Sequence, residues 1–343
     1  MEQQDILSMT LPELQAAVQE LGEPKFRAKQ IFNWLHQKRV TDFSEMTTLS
    51  LPFRERLASD FCINRLKIAK RLASSVDDTV KYLYELPDGN YVETVCMQYH
   101  HGTSLCISTQ VGCRMGCRFC ASAIAGFVRN LTPAEMLLQI YETERAQNCK
   151  ISSLVLMGIG EPLDNYDNVI LFMHNVNNEN GLNISMRNIT LSTCGVVPRI
   201  YDLMNENLQI TLTISLHAPN DTIRSKTMPV NDKWGIDELL KACRDYIKKT
   251  NRRVSFEYTL INKVIDTPEC ANELCSRLHG MLCHVNLIPV NDVEERGNVR
   301  SSDDSVNKFL QILQNNGINA TIRRTLGSDI NASCGQLRRK SQG

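Results

Sequence analysis

The chain has 343 residues, 42% apolar and 22% charged, which is ordinary globular usage and excludes global disorder and collagen-like repetition. Its 38 basic residues balance 38 acidic ones, so no net field attracts nucleic acid and any RNA contact must come from local patches. No apolar run approaches the roughly 20 residues of a membrane helix, and residues 1–10 lack the basic and apolar regions of a secretory signal. A cytoplasmic chain without membrane contact is the expectation.

Thr10-Leu11-Pro12-Glu13 is a capping box with proline in the first turn, and it opens an amphipathic helix that ends near Gly22. A second helix is predicted over 25–38, with Phe26, Ile31, Phe32 and Leu35 on its core face; Lys25, Arg27, Lys29, Lys38 and Arg39 make it locally basic. Segments 81–86 and 91–98 flank Pro87-Asp88-Gly89-Asn90, a strand–turn–strand pattern. From about residue 103 short apolar runs alternate with helical stretches. Strands are expected at 104–108, 153–157, 188–192, 211–215, 255–260, 285–288 and 320–324. Helices are expected near 133–148, 165–177, 197–206, 236–250, 268–281 and 303–316. Such a series makes an α/β fold with a parallel sheet, and six βα units are too few for a closed eight-fold barrel.

The unusual sequence words all follow strands. They are the cysteine cluster, Gly158-Ile159-Gly160-Glu161-Pro162, Ser192-Thr193-Cys194-Gly195, His217-Ala218-Pro219 and Pro289-Val290-Asn291. Parallel α/β folds bind ligands at the carboxyl ends of their strands, so the five words are read as one pocket.

Thirteen cysteines, an odd count in a chain with no sign of export, argue against a disulfide framework. Cys113, Cys117 and Cys120 put three thiols in one glycine-bearing loop, and thiolates suit zinc or iron–sulfur centres. A zinc ribbon wants a second CxxC pair, which is missing. His100, His101 or Cys106 could supply a fourth zinc ligand, so a non-catalytic zinc-dependent RNA-binding module stays open as an alternative. Three cysteines on a four-iron cluster leave one iron free for a small molecule.

The Cys-x3-Cys-x2-Cys spacing, the following Phe119 and the βα setting resemble the radical S-adenosylmethionine (SAM) superfamily. That resemblance implies a partial (βα)6 barrel, one 4Fe-4S cluster on Cys113, Cys117 and Cys120, and SAM cleaved to methionine and a 5′-deoxyadenosyl radical. More closely, Ser108 to Cys113, Met157 to Pro162, Ser215 to Pro219, Val285 to Pro289 and Ala332 to Leu337 are similar to the RlmN family. Those enzymes methylate C2 of adenine in the peptidyl-transferase region of 23S rRNA and beside the tRNA anticodon. Adenine C2 is electron-poor and cannot attack SAM as a nucleophile, which is why a radical route is needed.

The resemblance implies two SAM molecules per turnover. Cys334 accepts a methyl from the first, the radical from the second removes a hydrogen from that methyl, and the carbon adds to C2. Cys106 then attacks the Cys334 sulfur, giving a transient disulfide and the methylated base. Glu93 matches the family's general base. Without the family it reads as an exposed strand glutamate, and Cys106 and Cys334 read as buried core thiols. Gly160, Glu161, Ser192, Ser215, Leu216, His217 and Asn291 match the SAM-binding positions.

The implied organisation is an N-terminal, mainly helical accessory RNA-binding domain at 1–90, a radical SAM core at 91–330, and a tail at 331–343 carrying Cys334. Flavodoxin or ferredoxin would supply electrons to a monomer. Arg114, Arg118, Arg129, Arg323, Arg324, Arg338, Arg339 and Lys340, with the basic helix, are expected to track RNA phosphates. The target adenine has to be unstacked to enter the pocket. A sister branch methylates C8 of the same rRNA adenine and confers antibiotic resistance; proline after Glu161, where that branch has alanine, favours the C2 branch. The remaining cysteines are expected to be small packing residues.

Overall fold

A computed structural model describes residues 3–291, 297 and 299–338. Helix α1 (Leu11–Glu20) starts at the expected box, where the Glu13 carboxylate accepts from the Thr10 amide and hydroxyl, each at 2.7 Å. Helix α2 (Phe26–His36) buries Ile31, Phe32 and Leu35. Phe26 departs from its predicted core role: it opens the helix off the packed face, 57% exposed, with the Arg27 guanidinium over its ring. An unanticipated helix α3 (Leu51–Asp60) and a short parallel pairing of Gln4–Asp5 with Phe61–Cys62 complete this segment.

One ten-stranded sheet follows. In chain order its strands are β1 (Lys67–Ala73), β2 (Val80–Glu85), β3 (Tyr91–Tyr99), β4 (Gly102–Cys106), β5 (Ile151–Leu156), β6 (Ile189–Thr193), β7 (Thr211–Ser215), β8 (Val254–Leu260), β9 (Cys283–Pro289) and β10 (Ala320–Ile322). They also lie side by side in that order. Strands β1 to β4 are antiparallel because tight turns join them, and β4 to β10 are parallel. Gly89, at φ +78°, makes the turn between β2 and β3. That turn lies within the sheet, with β2 and β3 paired on either side of it.

Each parallel step needs a helical crossover. The crossovers are α4 (Pro133–Gln147), α5 (Tyr166–Asn177), α6 (Val197–Leu203), α7 (Asp221–Thr227) with α8 (Ile236–Thr250), α9 (Pro268–Leu278) and α10 (Asp303–Asn315). They form six βα units. Among the described residues β10 does not pair with β1, so the barrel is partial. Every residue of β8 is buried, Glu257 included. Apolar residues of the N-terminal helices and of the barrel share one core. No described helix is long and apolar enough to cross a membrane.

Candidate active site

The carboxyl ends of the parallel strands surround an open cavity. Cys113, Cys117, Cys120, Gly160, Glu161, Ser192, Ser215, His217, Asn291 and Cys334 all line it. Residues more than 200 positions apart in sequence thus meet at one rim.

The cysteine loop is framed by its neighbours. Gln110–Val111 pairs antiparallel with Arg129–Asn130, and the loop is carried between these two short strands. Gly112 has φ +76°, and a Cβ there would stand 1.7 Å from the Gly126 carbonyl oxygen, so only glycine fits. Burial pushes the Cys113 thiol up to about 12 and raises Cys117 further. Such thiols stay protonated unless a cation replaces the proton, as metal ligation does. Among the described residues no three His, Cys, Asp or Glu side chains close around the point a single ion would occupy. The donor set, three thiols lining one chamber, fits a multi-iron cluster held at separate corners.

Glu161 is 3% exposed; one carboxylate oxygen accepts from the Leu163 amide at 3.0 Å and the other from the Cys194 amide at 2.7 Å. Burial raises its carboxyl and these bonds oppose the rise. Gly160, at φ +111°, brings the backbone against Gln110, whose Oε1 accepts from the Glu161 amide at 2.9 Å. Ser192 and Ser215, at the ends of β6 and β7, hold their hydroxyls 3.4 Å apart. His217 has φ +53° and receives the Thr259 amide on Nδ1 at 3.0 Å; burial depresses it to about 3, so the ring is neutral. Phe119 meets that ring edge-on at 4.7 Å. Leu216 does not reach the cavity with its side chain: it is wholly buried in the main core, where its amide donates to the Glu257 carbonyl at 3.1 Å.

Cys334 lies in a turn fastened to the cysteine loop. The Ala121 amide donates to Gly335 O at 2.7 Å, the Ser122 hydroxyl to Leu337 O at 2.8 Å, and Asn291 Nδ2 to Cys334 O at 3.0 Å. Cys334 also lines an adjoining chamber with Cys106, Tyr99, Met157, Arg323 and Arg324. Cys106 belongs to this second chamber rather than the main cavity. Burial pushes the Cys106 thiol up to about 12 and raises the Cys334 thiol, with the Arg323 charge opposing both rises.

Glu93 is buried in a clasp, in contrast to the exposed glutamate that its strand suggests. Lys81 Nζ stands 3.1 Å from its Oε1, the Arg338 amide donates to Oε2 at 2.6 Å, and Lys81 also donates to Asn331 O at 3.0 Å. The pair therefore ties down both ends of the 331–338 segment. Glu93 lines neither chamber.

Several expected phosphate contacts are otherwise engaged. Arg323 sits inside the cavity, with Nη1 3.3 Å from buried Glu257 and 3.4 Å from Met157 Sδ, because β10 ends at the rim. Arg129 is held by Glu135 at 2.8 Å and Asp88 at 2.7 Å, Arg114 pairs with Asp164 at 2.8 Å, and Arg39 binds Glu144. Arg118, Arg324, Lys25, Lys29 and Lys38 are exposed. Arg339 and Lys340 lie outside the described residues.

Sequence reading overlooked Glu257, Thr259 and Arg224. A glutamate inside an otherwise apolar strand was a signal for the first; nothing local marked the other two. Cys194 lines the cavity, while Cys243, Cys270, Cys275 and Cys283 pack in the core as expected.

The chain is similar to known proteins over nearly its whole length. Residues 4–63 match the ribosomal RNA large subunit methyltransferase N-terminal domain, and residues 107–269 match the radical SAM superfamily. The chain is 54% identical over 338 residues to a probable dual-specificity RNA methyltransferase RlmN of Lachnoclostridium phytofermentans, covering 98% of this chain and 94% of that protein. It is 54% identical over 340 residues to the similarly described protein of Alkaliphilus oremlandii, covering 99% of each. Its fold is similar to the crystal structure of a radical SAM methyltransferase from Sphaerobacter thermophilus, at TM-score 0.92 and 40% identity over 98% of this chain and 100% of that one.

Proposed function

The chain belongs to the RlmN family of dual-specificity RNA methyltransferases in the radical SAM superfamily, and we propose from this that it methylates C2 of adenine in 23S rRNA and tRNA through Cys334. The observation that carries the reading is the position of Cys334, which borders the chamber of Cys113, Cys117 and Cys120 on one side and that of Cys106 on the other.

Cys113, Cys117 and Cys120 would hold one 4Fe-4S cluster, whose chemistry there would be one-electron reduction of SAM. Glycine backbone at Gly160, the Ser192 and Ser215 hydroxyls, neutral His217 and Asn291 orient SAM, and Glu161 keeps spare lone pairs for an ammonium. Leu216, engaged through its backbone with Glu257 and Arg224, fixes the Ser215 and His217 positions on either side of it. Cys334 receives the methyl by sulfur displacement and presents it to the adenine. Cys106 later bonds to the Cys334 sulfur, breaking its bond to carbon and freeing the base. For Glu93 to take the C2 proton, the Lys81 clasp has to open. Residues 1–90 serve RNA recognition, 91–330 the radical chemistry and 331–343 the methyl relay. A flavodoxin- or ferredoxin-type donor supplies electrons to a cytoplasmic monomer.

Mass spectrometry of digested 23S rRNA from cells lacking and regaining this chain tests the product. The expected result is 2-methyladenosine; 8-methyladenosine would overturn the C2 assignment. Anaerobic iron and sulfide analysis should find four of each per chain, where a lone zinc would refute the cluster. Cys106→Ala should accumulate RNA covalently attached at Cys334.

A further inference from the structure

The largest wholly buried side chain described is that of Arg224 on α7, at 0% exposure. Each of its bonds ends on a neutral oxygen. Nε donates to Leu216 O at 3.0 Å, Nη1 to Asn231 Oδ1 at 3.0 Å, and Nη2 to Cys194 O at 2.5 Å and Ser215 O at 3.3 Å. No carboxylate among the described residues is bonded to it. Asp221 is reached only through Asn231, whose Nδ2 donates to Asp221 Oδ1 at 2.9 Å, and that oxygen already accepts the Ile236 amide at 2.7 Å.

A guanidinium keeps its charge everywhere, and buried charges are normally paired or placed beside a metal centre. The missing negative charge points to the cysteine loop. That loop is docked on α7, with the Arg118 amide donating to Thr227 O at 2.9 Å. Met115, Cys117 and Phe119 pack against Met228 and Val230, which follow α7 directly, and against Cys194 at the end of β6. Protonated thiols supply no charge, whereas three thiolates around an iron–sulfur cluster give the loop a net negative one.

We propose that Arg224 is the fixed counter-charge of the cluster and raises its reduction potential by favouring the more negative, reduced state. The proposal rests on the reading that Cys113, Cys117 and Cys120 hold that cluster. The rival role is structural, a fork that clamps the carbonyls at the ends of β6 and β7.

The test is a dithionite titration, followed by electron paramagnetic resonance, of the anaerobically purified full chain. In Arg224→Met the ratio of reduced to oxidised cluster at a fixed ambient potential should fall at least tenfold, about 59 mV for one electron. Arg224→Lys keeps the charge and should stay within about threefold of the parent, which a clamp needing the forked geometry would not predict. If Arg224→Met fails to load iron, Arg224→Gln decides: its amide keeps a donor for the surrounding carbonyls while the charge is removed, and it should lower the ratio likewise. Loaded variants with an unmoved potential would overturn the role of Arg224 alone. A parent chain holding no iron and sulfide would overturn the cluster reading and this proposal together.

Discussion

Replacing Lys81 by methionine isolates the clasp that holds the Cys334 segment. Lys81 and Glu93 side chains are only 8% and 6% exposed, so the substitution strands a buried carboxylate and removes the donor to Asn331 O. Breaking a buried pair on one side costs about 3–5 kcal/mol. The double variant Lys81→Met/Glu93→Gln has no charge to strand and keeps an acceptor for the Arg338 amide. Its main remaining loss is the lysine bond to Asn331, about 1 kcal/mol. The double variant should therefore be the more stable by roughly 2–4 kcal/mol, a coupling read from urea midpoints by circular dichroism. Limited proteolysis should cut the C-terminal segment faster in Lys81→Met than in either the parent or the double variant. Equal midpoints for the single and double variants would refute the assignment of Lys81 and Glu93 as a buried pair.

Gly112→Ala should prevent the cysteine loop from seating, because its Cβ meets the Gly126 carbonyl; iron content after anaerobic reconstitution should drop severalfold, and full loading would refute the argument. His36 and His217 are both depressed to about 3 by burial, below the unfolded value of 6.5. The unfolded chain thus binds more protons in acid, so stability is complete above about pH 6.5 and is lost as pH falls from there towards 3. At pH 5 each histidine should cost about 2 kcal/mol, and an unchanged urea midpoint between pH 7 and 5 would contradict this. Arg324→Glu should weaken RNA binding more than SAM binding, whereas Arg323→Glu, which sets a carboxylate against Glu257, should impair both; filter binding and equilibrium dialysis distinguish them.

Much of the barrel was legible because its strands are short, buried on both faces and separated by capped helices. The prediction for 211–215 matches β7, and 255–260 falls one residue short of β8. Strand β1 was not legible: Lys67 to Ala73 is an edge strand, exposed along nearly its whole length, and carries no alternation. Helix α7 is too short for a periodic signal, and so Arg224 was missed with it. The cavity residues were visible as words after strands. What each side chain does there was not, since Arg323 and Glu93 owe their settings to Glu257 and Lys81, partners distant in sequence.

Cys334 stands between two compartments while its backbone is pinned at its own carbonyl by Asn291 and at the next carbonyl, that of Gly335, by Ala121. In the proposed relay, a carbon loaded on one side would reach the other by a swing about the Cα–Cβ bond, with no domain needing to travel. Handover of this kind is a rotamer event, far faster than lid or domain motion.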